Sequence, residues 1–362
     1  MKIQQITTRL VRLPLEEPLV NAPPMPGMMR EFVTVQIRTD DGVEGIGVTA
    51  FGGKLIRTVK LAVEELGELI KGDDPIDIDA IRQKLRTASA NCGPGGIVTL
   101  ALTAIDTALW DIKAKALNLP LARLLGGSRD RVPAYASGAL VRTSPTDKVV
   151  EAAVALVKKG YRQMKTQMAV EGLTPNQEIE RIRRVREAVG ADVTLMVDIN
   201  QRWSVQEAIS IGARIQDLGL AWLEDVTAAT DYQGLAQVAG ALATPVCGGE
   251  YLYGIEPFRQ MLGHRSVDIV MIDLLRVGGI GPWMKVAGMA EAFNIPVVSH
   301  LLPEIHVHLV AAAPNATVVE YMPWTWRLFD DPPMPVNGMM TVPARPGLGF
   351  GFAKDLFEKY GV

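Results

Sequence analysis

The chain has 362 residues, of which 48% are hydrophobic and 21% are charged. This composition is typical of a globular protein with a large core, and the length favours two domains, or one barrel with an attached domain. The net charge of -3 comes from 37 basic and 40 acidic residues without a basic cluster, so neither nucleic acid nor a membrane is an expected partner.

We expect no segment that directs the chain out of the cytoplasm. The N-terminus lacks the continuous apolar run and cleavage site of a signal peptide, and no uncharged apolar run reaches about 18 residues. Cys92 and Cys247 are too few for a disulfide framework and lie outside metal-binding spacings, which predicts two buried, reduced thiols. A cytoplasmic location follows as an expectation.

Residues 1–125 predict a small α+β domain. Two strand-like segments, at 3–14 and 31–48, are separated by a Pro- and Gly-containing loop at 20–30. The second strand segment turns at Asp40-Asp41-Gly42. Three helical segments follow, at 55–71, 76–90 and 97–117.

From 126 to 322, short apolar runs alternate with amphipathic helices, which predicts a parallel sheet. The runs lie at 134–140, 163–168, 193–199, 221–224, 245–247, 267–272, 296–299 and 317–319. Eight runs without a Gly-rich phosphate loop favour closure into a (β/α) barrel over an open doubly wound sheet. The Pro- and Gly-rich segment 323–362 is expected to return to the N-terminal domain. The predicted fold class is therefore α/β, a barrel with an N-terminal α+β domain.

Seven successive strand ends carry an ionisable residue about one βα unit apart, namely Lys165, Asp198, Glu224, Glu250, Asp273, His300 and Glu320. In a parallel barrel these ends meet at the face where barrel enzymes carry their active sites. Three neighbouring carboxylates, Asp198, Glu224 and Glu250, would repel one another unless a cation held them. Hard oxygen ligands suit Mg²⁺ or Mn²⁺, which predicts a metal site.

One histidine is predicted to act as a base. Asp273 and His300 come from neighbouring strands, and a carboxylate beside an imidazole fixes its tautomer and raises its basicity. The other histidines, His264, His306 and His308, lie in a loop or on a following helix and are predicted to be structural.

These residues resemble the mandelate racemase subgroup of the enolase superfamily over essentially the whole chain. The matching stretches are 164–167, 196–200, 222–225, 249–250, Asp273 with 276–280, 299–300 and Glu320. The resemblance implies a modified (β/α)8 TIM barrel of (β/α)7β form, with an N-terminal capping domain whose substrate-capping loop is 20–30. By analogy it also implies a homo-oligomer.

The resemblance also implies roles for the site residues. The three carboxylates would bind Mg²⁺, and His300 paired with Asp273 would remove the α-proton of a small-molecule carboxylate substrate to give a stabilised enediolate. A protonated Glu320 would donate a hydrogen bond to a substrate carboxylate oxygen. Asn200 would contact the substrate or support a ligand.

One departure from the family bears on the reaction. The family's Lys-x-Lys reads Lys165-Thr166-Gln167, and glutamine cannot take a proton. A lyase is therefore favoured, which would dehydrate a sugar acid or other α-hydroxy acid to a 2-keto-3-deoxy acid with His300 as the one acid and base. Gln167 could hold a substrate hydroxyl and Lys165 the carboxylate.

Alternatives remain open. If Lys165 takes the vacant role, the enzyme would be a racemase or epimerase, and a cycloisomerase would expel a ring oxygen instead of water. A third reading is a non-catalytic metal-binding protein. Arg30, at the end of the capping loop, could bind a second carboxylate or a hydroxyl of the substrate. A second departure, Asp225-Val226 where relatives have Glu-Pro, is expected to spare the ligand Glu224.

Overall fold

The computed structural model describes residues 1–16, 18–20 and 29–362. These residues form a three-stranded sheet, a nine-stranded sheet and a two-stranded ribbon. The capping loop predicted at 20–30 therefore lies, from 21 to 28, outside the described residues.

The N-terminal part is an antiparallel sheet covered by helices. Its elements are β1 (Ile3–Pro14), β2 (Met29–Thr39), β3 (Glu44–Thr49), α1 (Ile56–Glu68), α2 (Ile78–Ala88), α3 (Gly96–Ala116) and α4 (Leu121–Leu124). The sheet order is β1-β2-β3, and α3 packs closely on β3. A Cβ on Gly47 would stand 1.9 Å from the carbonyl oxygen of Ala104, so only glycine permits this approach. The predicted α+β composition is confirmed, with element ends shifted by a few residues.

Eight parallel strands follow. They are β4 (Arg131–Ala136), β5 (Gln163–Gln167), β6 (Thr194–Asp198), β7 (Leu223–Glu224), β8 (Val246–Gly248), β9 (Ile269–Asp273), β10 (Val297–His300) and β11 (Val319–Tyr321). Successive strands pair from β4 to β10, and β11 pairs with β4. The remaining gap closes where Thr317 N–H donates to the carbonyl oxygen of Val297 at 3.1 Å. The predicted barrel is confirmed.

Helices occupy the seven connections between these strands. They are α5 (Thr146–Lys158), α6 (Pro175–Val189), α7 (Val205–Ala213), α8 (Tyr232–Ala241), α9 (Glu256–Gly263), α10 (Leu274–Val277) with α11 (Ile280–Ala292), and α12 (Pro303–Ala312). This is the (β/α)7β form. Helix α7 begins with a capping box, because Ser204 Oγ accepts from Glu207 N–H and Glu207 Oε2 accepts from Ser204 N–H. Among the described helices, none has the length and apolarity needed to cross a bilayer.

The C-terminal segment contacts both parts of the molecule. It contains β12 (Phe329–Asp330), β13 (Met339–Thr341), β14 (Gly351–Phe352) and α13 (Leu356–Tyr360). Strand β13 pairs with the start of β4. Val362 N–H donates to the carbonyl oxygen of Leu10 at 3.1 Å, and the Arg9 guanidinium lies 4.2 Å from the Phe357 ring centroid. These contacts join the segment to the N-terminal sheet.

A layer of apolar side chains fills the barrel beneath the ionisable strand ends. It consists of Tyr135, Met196, Trp222, Cys247, Met271, Val298 and Val318. Most of these residues lie two positions before an ionisable strand end, so both members of such a pair point into the barrel. Cys247 is buried in this layer, whereas the prediction of a buried Cys92 is wrong, because that residue lies exposed in the loop before α3.

Two buried histidines on α12 are held by backbone groups. His308 Nδ1 accepts a hydrogen bond from Ala122 N–H at 3.3 Å, and its Nε2 lies 3.0 Å from the carbonyl oxygen of Leu348. This pattern requires a neutral ring with the proton on Nε2. His306 Nδ1 lies 2.6 Å from the carbonyl oxygen of Leu301. Burial lowers the pKa of His306 and of His308 to about 4.

These histidines predict a loss of stability in acid. Between pH 6.5 and pH 4 the unfolded chain binds protons that the folded chain excludes, so their contribution is full above pH 6.5 and is lost as the pH falls towards 4. The loss reaches about 3 kcal/mol for His308. Urea unfolding of wild type and His308→Gln from pH 7 to pH 5 measures the first part of this loss, about 2 kcal/mol.

The comparison between variants isolates His308, because other buried groups titrate in the same range. His308→Gln should flatten the pH dependence, whereas His264→Gln, at an exposed position, should leave it unchanged. Parallel curves for wild type and His308→Gln would show that the neutral ring of His308 does not contribute.

Candidate active site

The structure brings the seven ionisable strand-end residues to one face of the barrel, and all seven are buried. They are Lys165, Asp198, Glu224, Glu250, Asp273, His300 and Glu320. Charges held above an apolar layer and away from water are stable only when they are paired or hydrogen-bonded. Their contacts with one another therefore define what each group can do.

His300 and Asp273 form the predicted pair. His300 Nδ1 lies 2.6 Å from Asp273 Oδ2, and Asp273 Oδ1 accepts a hydrogen bond from Arg276 N–H at 2.7 Å. His300 Nε2 lies 3.1 Å from Glu250 Oε2 and faces the remaining carboxylates. Burial alone lowers the pKa of His300, but Glu250 and Asp273 outweigh it and raise the pKa above its ordinary value. The proton on Nδ1 is thereby directed to Asp273, and Nε2 faces the site.

The capping domain supplies an aromatic ring to this pair. Phe51, two residues after β3, stacks on His300 with ring centroids 6.3 Å apart and an interplanar angle of 15°. The guanidinium of Arg276 lies 3.9 Å from the Phe51 centroid. Phe51 was not predicted as a site residue; the only local signal was an aromatic residue directly before Gly52-Gly53.

Lys165 lies between two buried carboxylates. Its Nζ contacts Glu224 Oε1 and lies 2.8 Å from Glu320 Oε1. Burial lowers the pKa of Lys165, but Glu224 and Glu320 outweigh burial and raise it well above its ordinary value. The ammonium is therefore charged in this arrangement and cannot accept a proton.

The pKa of Glu320 in this arrangement differs from the protonated state that the resemblance implied. Burial raises the pKa of Glu320, but Lys165 and His300 outweigh it and lower the pKa to about 2. Its Oε2 accepts a hydrogen bond from Leu301 N–H at 2.8 Å. Glu320 is thus an ionised partner of Lys165, and as placed it has no proton to donate to a substrate.

The carboxylate cluster differs by one residue from the predicted ligand set. Oxygens of Glu224, Asp225 and Glu250 lie within 4.8 Å of one another, and among the described residues Asp198 is not part of this group. Asp225 Oδ2 is buried and has no hydrogen-bond partner among those residues. Burial, with repulsion from neighbouring carboxylates, raises the pKa of Glu224, Asp225 and Glu250. The cluster carries an excess of negative charge that a cation would relieve.

Asp198 is held beside this cluster by polar side chains. Its Oδ1 accepts from Asn200 N–H at 2.8 Å, and its Oδ2 accepts from Gln167 Nε2 at 3.3 Å. Gln167 Oε1 accepts from Arg142 N–H at 3.1 Å, and the Arg142 guanidinium donates to Asn200 Oδ1. Gln167, which was predicted to hold a substrate hydroxyl, here uses both ends of its amide within the protein. Arg142, in the loop after β4, was not predicted.

Arg30 lies at the margin of the site. Its guanidinium carbon is 3.4 Å from the centroid of the Trp324 ring. Arg30 and Trp324 border a small cavity together with Phe51 and Leu301. Burial, and then the like charge of Arg276, lower the pKa of Arg30 to about 10, so its guanidinium is charged at neutral pH.

The chain is similar to known proteins over nearly its whole length. Residues 5–126 match the mandelate racemase / muconate lactonizing enzyme N-terminal domain, and residues 148–356 match the enolase C-terminal domain-like family. The chain is 35% identical over 362 residues to L-talarate/galactarate dehydratase of Salmonella typhimurium, covering 98% of this chain and 90% of that protein. It is 31% identical over 351 residues to 3,6-anhydro-alpha-L-galactonate cycloisomerase of Streptomyces coelicolor, covering 96% of each.

A solved structure is similar throughout. The crystal structure of L-talarate dehydratase from Polaromonas sp. JS666, complexed with Mg and L-glucarate, matches with a TM-score of 0.91 at 32% identity. The match covers 99% of this chain and 97% of that one.

The ion pairs of Lys165 predict a large loss of stability when the positive charge of this side chain is removed by substitution. Lys165→Met leaves Glu224 and Glu320 buried without their counter-charge, and we expect the free energy of unfolding in EDTA to fall by about 3–5 kcal/mol. Adding Glu320→Gln should restore part of this loss, because one unpaired charge is then removed. Urea unfolding of the two single variants and the double variant measures the coupling.

Lys60→Met is the matched control, since Lys60 pairs with Glu64 on the surface of α1 and should change stability by no more than about 0.5 kcal/mol. A Lys165→Met variant as stable as this control would show that the buried contacts contribute little.

Proposed function

The chain belongs to the mandelate racemase / muconate lactonizing enzyme family, and from this premise we propose that it dehydrates a small sugar acid. The α-proton of the carboxylate substrate is removed, the β-hydroxyl departs as water, and a 2-keto-3-deoxy acid forms. The observation that carries the proposal is that His300 is the one side chain of the site placed to act as a base, among the residues that the structure describes. Among the described site residues, His300 is an imidazole paired with Asp273, whereas the carboxylates around Lys165 raise the pKa of an amine that is already a strong base and so keep it charged, and Gln167 cannot titrate.

The geometry supports a proton path through one imidazole. His300 Nε2 takes the α-proton while Nδ1–H donates to Asp273, whose other oxygen is held by Arg276 N–H. The imidazolium is stabilised by Asp273 and by Glu250 at 3.1 Å. It then gives the same proton to the departing hydroxyl, and the resulting enol tautomerises to the 2-keto acid. Phe51 and Arg276 keep the imidazole plane in place during both transfers.

We propose that Asp198, Glu224 and Glu250 hold Mg²⁺, with Mn²⁺ as a substitute. The donor types fit, because all three carboxylates are buried. Glu224 and Glu250 also belong to the close group that includes Asp225, whose Oδ2 has no hydrogen-bond partner among the described residues. A bound divalent cation would offset the negative charge that develops on the substrate carboxylate when the α-proton leaves. Gln167 and Asn200 orient Asp198, and Lys165 adds a positive charge beside Glu224.

A cycloisomerase is the second candidate. It is favoured by the 31% identity to a cycloisomerase, and it uses the same first step at His300 before a ring oxygen departs in place of water. A racemase or epimerase requires Lys165 as a base, and the ion pairs of Lys165 weigh against it. By analogy with the family we also expect a homo-oligomer, and we propose a cytoplasmic location.

The reaction is tested with a panel of sugar acids in the presence of Mg²⁺. We expect semicarbazide-reactive 2-keto acid from at least one substrate, and a solvent deuteron on its former β-carbon in D₂O. His300→Asn should lower kcat by about 100- to 10,000-fold, because it removes the acid and base. His264→Asn, at an exposed position, is the control.

Other products would identify another reaction. Deuterium exchange at the α-carbon of both epimers without keto acid would indicate a racemase or epimerase. Ring opening without loss of water would indicate a cycloisomerase. Full activity in excess chelator would contradict the metal site.

The ligand set is tested by metal titration. We expect Asp198→Asn and Glu250→Gln to weaken Mn²⁺ binding by more than about 100-fold, whereas Asp225→Asn, if it only supports the ligands, should cost about 10-fold. Electron paramagnetic resonance of free Mn²⁺ measures each affinity without turnover. If Asp198→Asn left the Mn²⁺ affinity unchanged and Asp225→Asn weakened it by more than about 100-fold, Asp225 and not Asp198 would be the ligand.

A further inference from the structure

Building on the proposed function, we infer that the substrate is a dicarboxylate, a sugar acid oxidised at both ends, and that Arg30 binds its distal carboxylate. The reacting carboxylate and α-carbon belong to the barrel site. The second carboxylate would lie at the boundary between the barrel and the capping domain.

Arg30 is placed close to the base. It is the second residue of β2, and it borders the same small cavity as Phe51 and Leu301. Phe51 stacks on His300, and Leu301 follows His300 directly in the chain. Phe51 therefore contacts both the imidazole and the cavity beside Arg30, and a ligand bound at His300 would reach Arg30 past this ring.

The charge of Arg30 has no counter-charge among the described residues. The acidic residues nearest to it along the described chain form ion pairs with other arginines. Glu31 pairs with Arg12, and Glu16 pairs with Arg327. Residues 21–28 read Asn-Ala-Pro-Pro-Met-Pro-Gly-Met and contain no acidic side chain. The capping loop therefore brings no carboxylate to Arg30, whatever path it follows.

A second arginine adds to this imbalance. Arg276 lies against the Phe51 ring, and its like charge contributes to the lowered pKa of Arg30. Arg276 is balanced by Asp273 and Glu250, which raise its own pKa. Of these two arginines, Arg30 has no acidic partner among the residues that the structure describes, and a partly buried cation in this position favours an anion from a ligand.

The contact with Trp324 leaves Arg30 free to bind such an anion. The indole covers one face of the guanidinium, which offsets part of its desolvation. The N–H donors lie along the edge of the guanidinium, and two of them match the two oxygens of a carboxylate. A single positive charge balances one carboxylate, whereas a hydroxyl brings no charge and a phosphomonoester brings about two.

Matched substrates test the inference. Each hexarate is compared with the hexonate of the same configuration, which differs only by a terminal CH₂OH in place of the second carboxylate. We expect kcat/KM for the preferred hexarate to exceed that of its hexonate by at least about 30-fold, as for a charge-assisted hydrogen-bonded pair. Arg30→Met should remove this preference by lowering kcat/KM on the hexarate while leaving the hexonate within about 3-fold.

Binding provides a readout without turnover. Calorimetric titration of the hexarate into Mg²⁺-loaded His300→Asn should show affinity that falls by at least about 30-fold when Arg30→Met is added. Arg38→Met is the matched control, because Arg38 lies on the same strand with an exposed side chain beside Glu44. Arg30→Lys should retain part of the preference, since it keeps the charge without the planar donors.

The outcomes separate this inference from the proposed function. Hexonates or their 6-phosphates turned over as well as hexarates would overturn the dicarboxylate and leave the dehydration intact, whereas no keto acid from any substrate would contradict the dehydration itself. An equal loss on both substrates in Arg30→Met would assign Arg30 a structural role with Trp324. Glu17 is the one acidic residue outside the described residues. If Glu17→Gln changed the ratio of kcat/KM on hexarate to kcat/KM on hexonate by more than about 3-fold, Glu17 would be the partner of Arg30, and the inference would be overturned.

Discussion

Burial of charge above an apolar layer is the constraint on which this molecule depends. Five of the eight barrel strands alternate so that an apolar side chain, such as Met196 or Met271, fills the barrel and an ionisable residue two positions later lies above it. In that setting an unpaired charge is strongly unfavourable, whereas a paired one is held rigidly. Burial of these charges costs free energy of folding, and it also gives the acid and base groups fixed positions and altered pKa values.

The pairing of those charges assigns their chemistry. Lys165 forms ion pairs with Glu224 and Glu320, which weigh against a role as a base. His300 contacts Asp273 through one ring nitrogen and faces Glu250 through the other, which leaves it as the group able to move a proton. The residual excess of negative charge, on the carboxylates around Glu250, is the part that a divalent cation would balance.

The capping domain completes the site with groups that the barrel lacks. Phe51 holds the plane of the imidazole, and Arg30 brings a cation to the same small cavity. Both lie at the ends of strands of the N-terminal sheet, and the close packing of α3 on β3 fixes that sheet's own geometry. In the reaction that we propose, proton transfer takes place in the barrel, and the far end of the substrate is recognised at the domain boundary.

The sequence by itself determined the barrel, the capping domain and the band of ionisable strand ends, because strand alternation and βα spacing are local and periodic. The pairing of His300 with Asp273 also followed, since adjacent parallel strands end side by side. Only the tertiary structure decided the charge of Glu320, the position of Asp225 among the carboxylates and the use of Gln167 within the protein. It also brought Phe51 and Arg142, which were not predicted, to the site. Those outcomes depend on distances between side chains far apart in the chain, and such distances set the balance of burial and charge that no local pattern encodes.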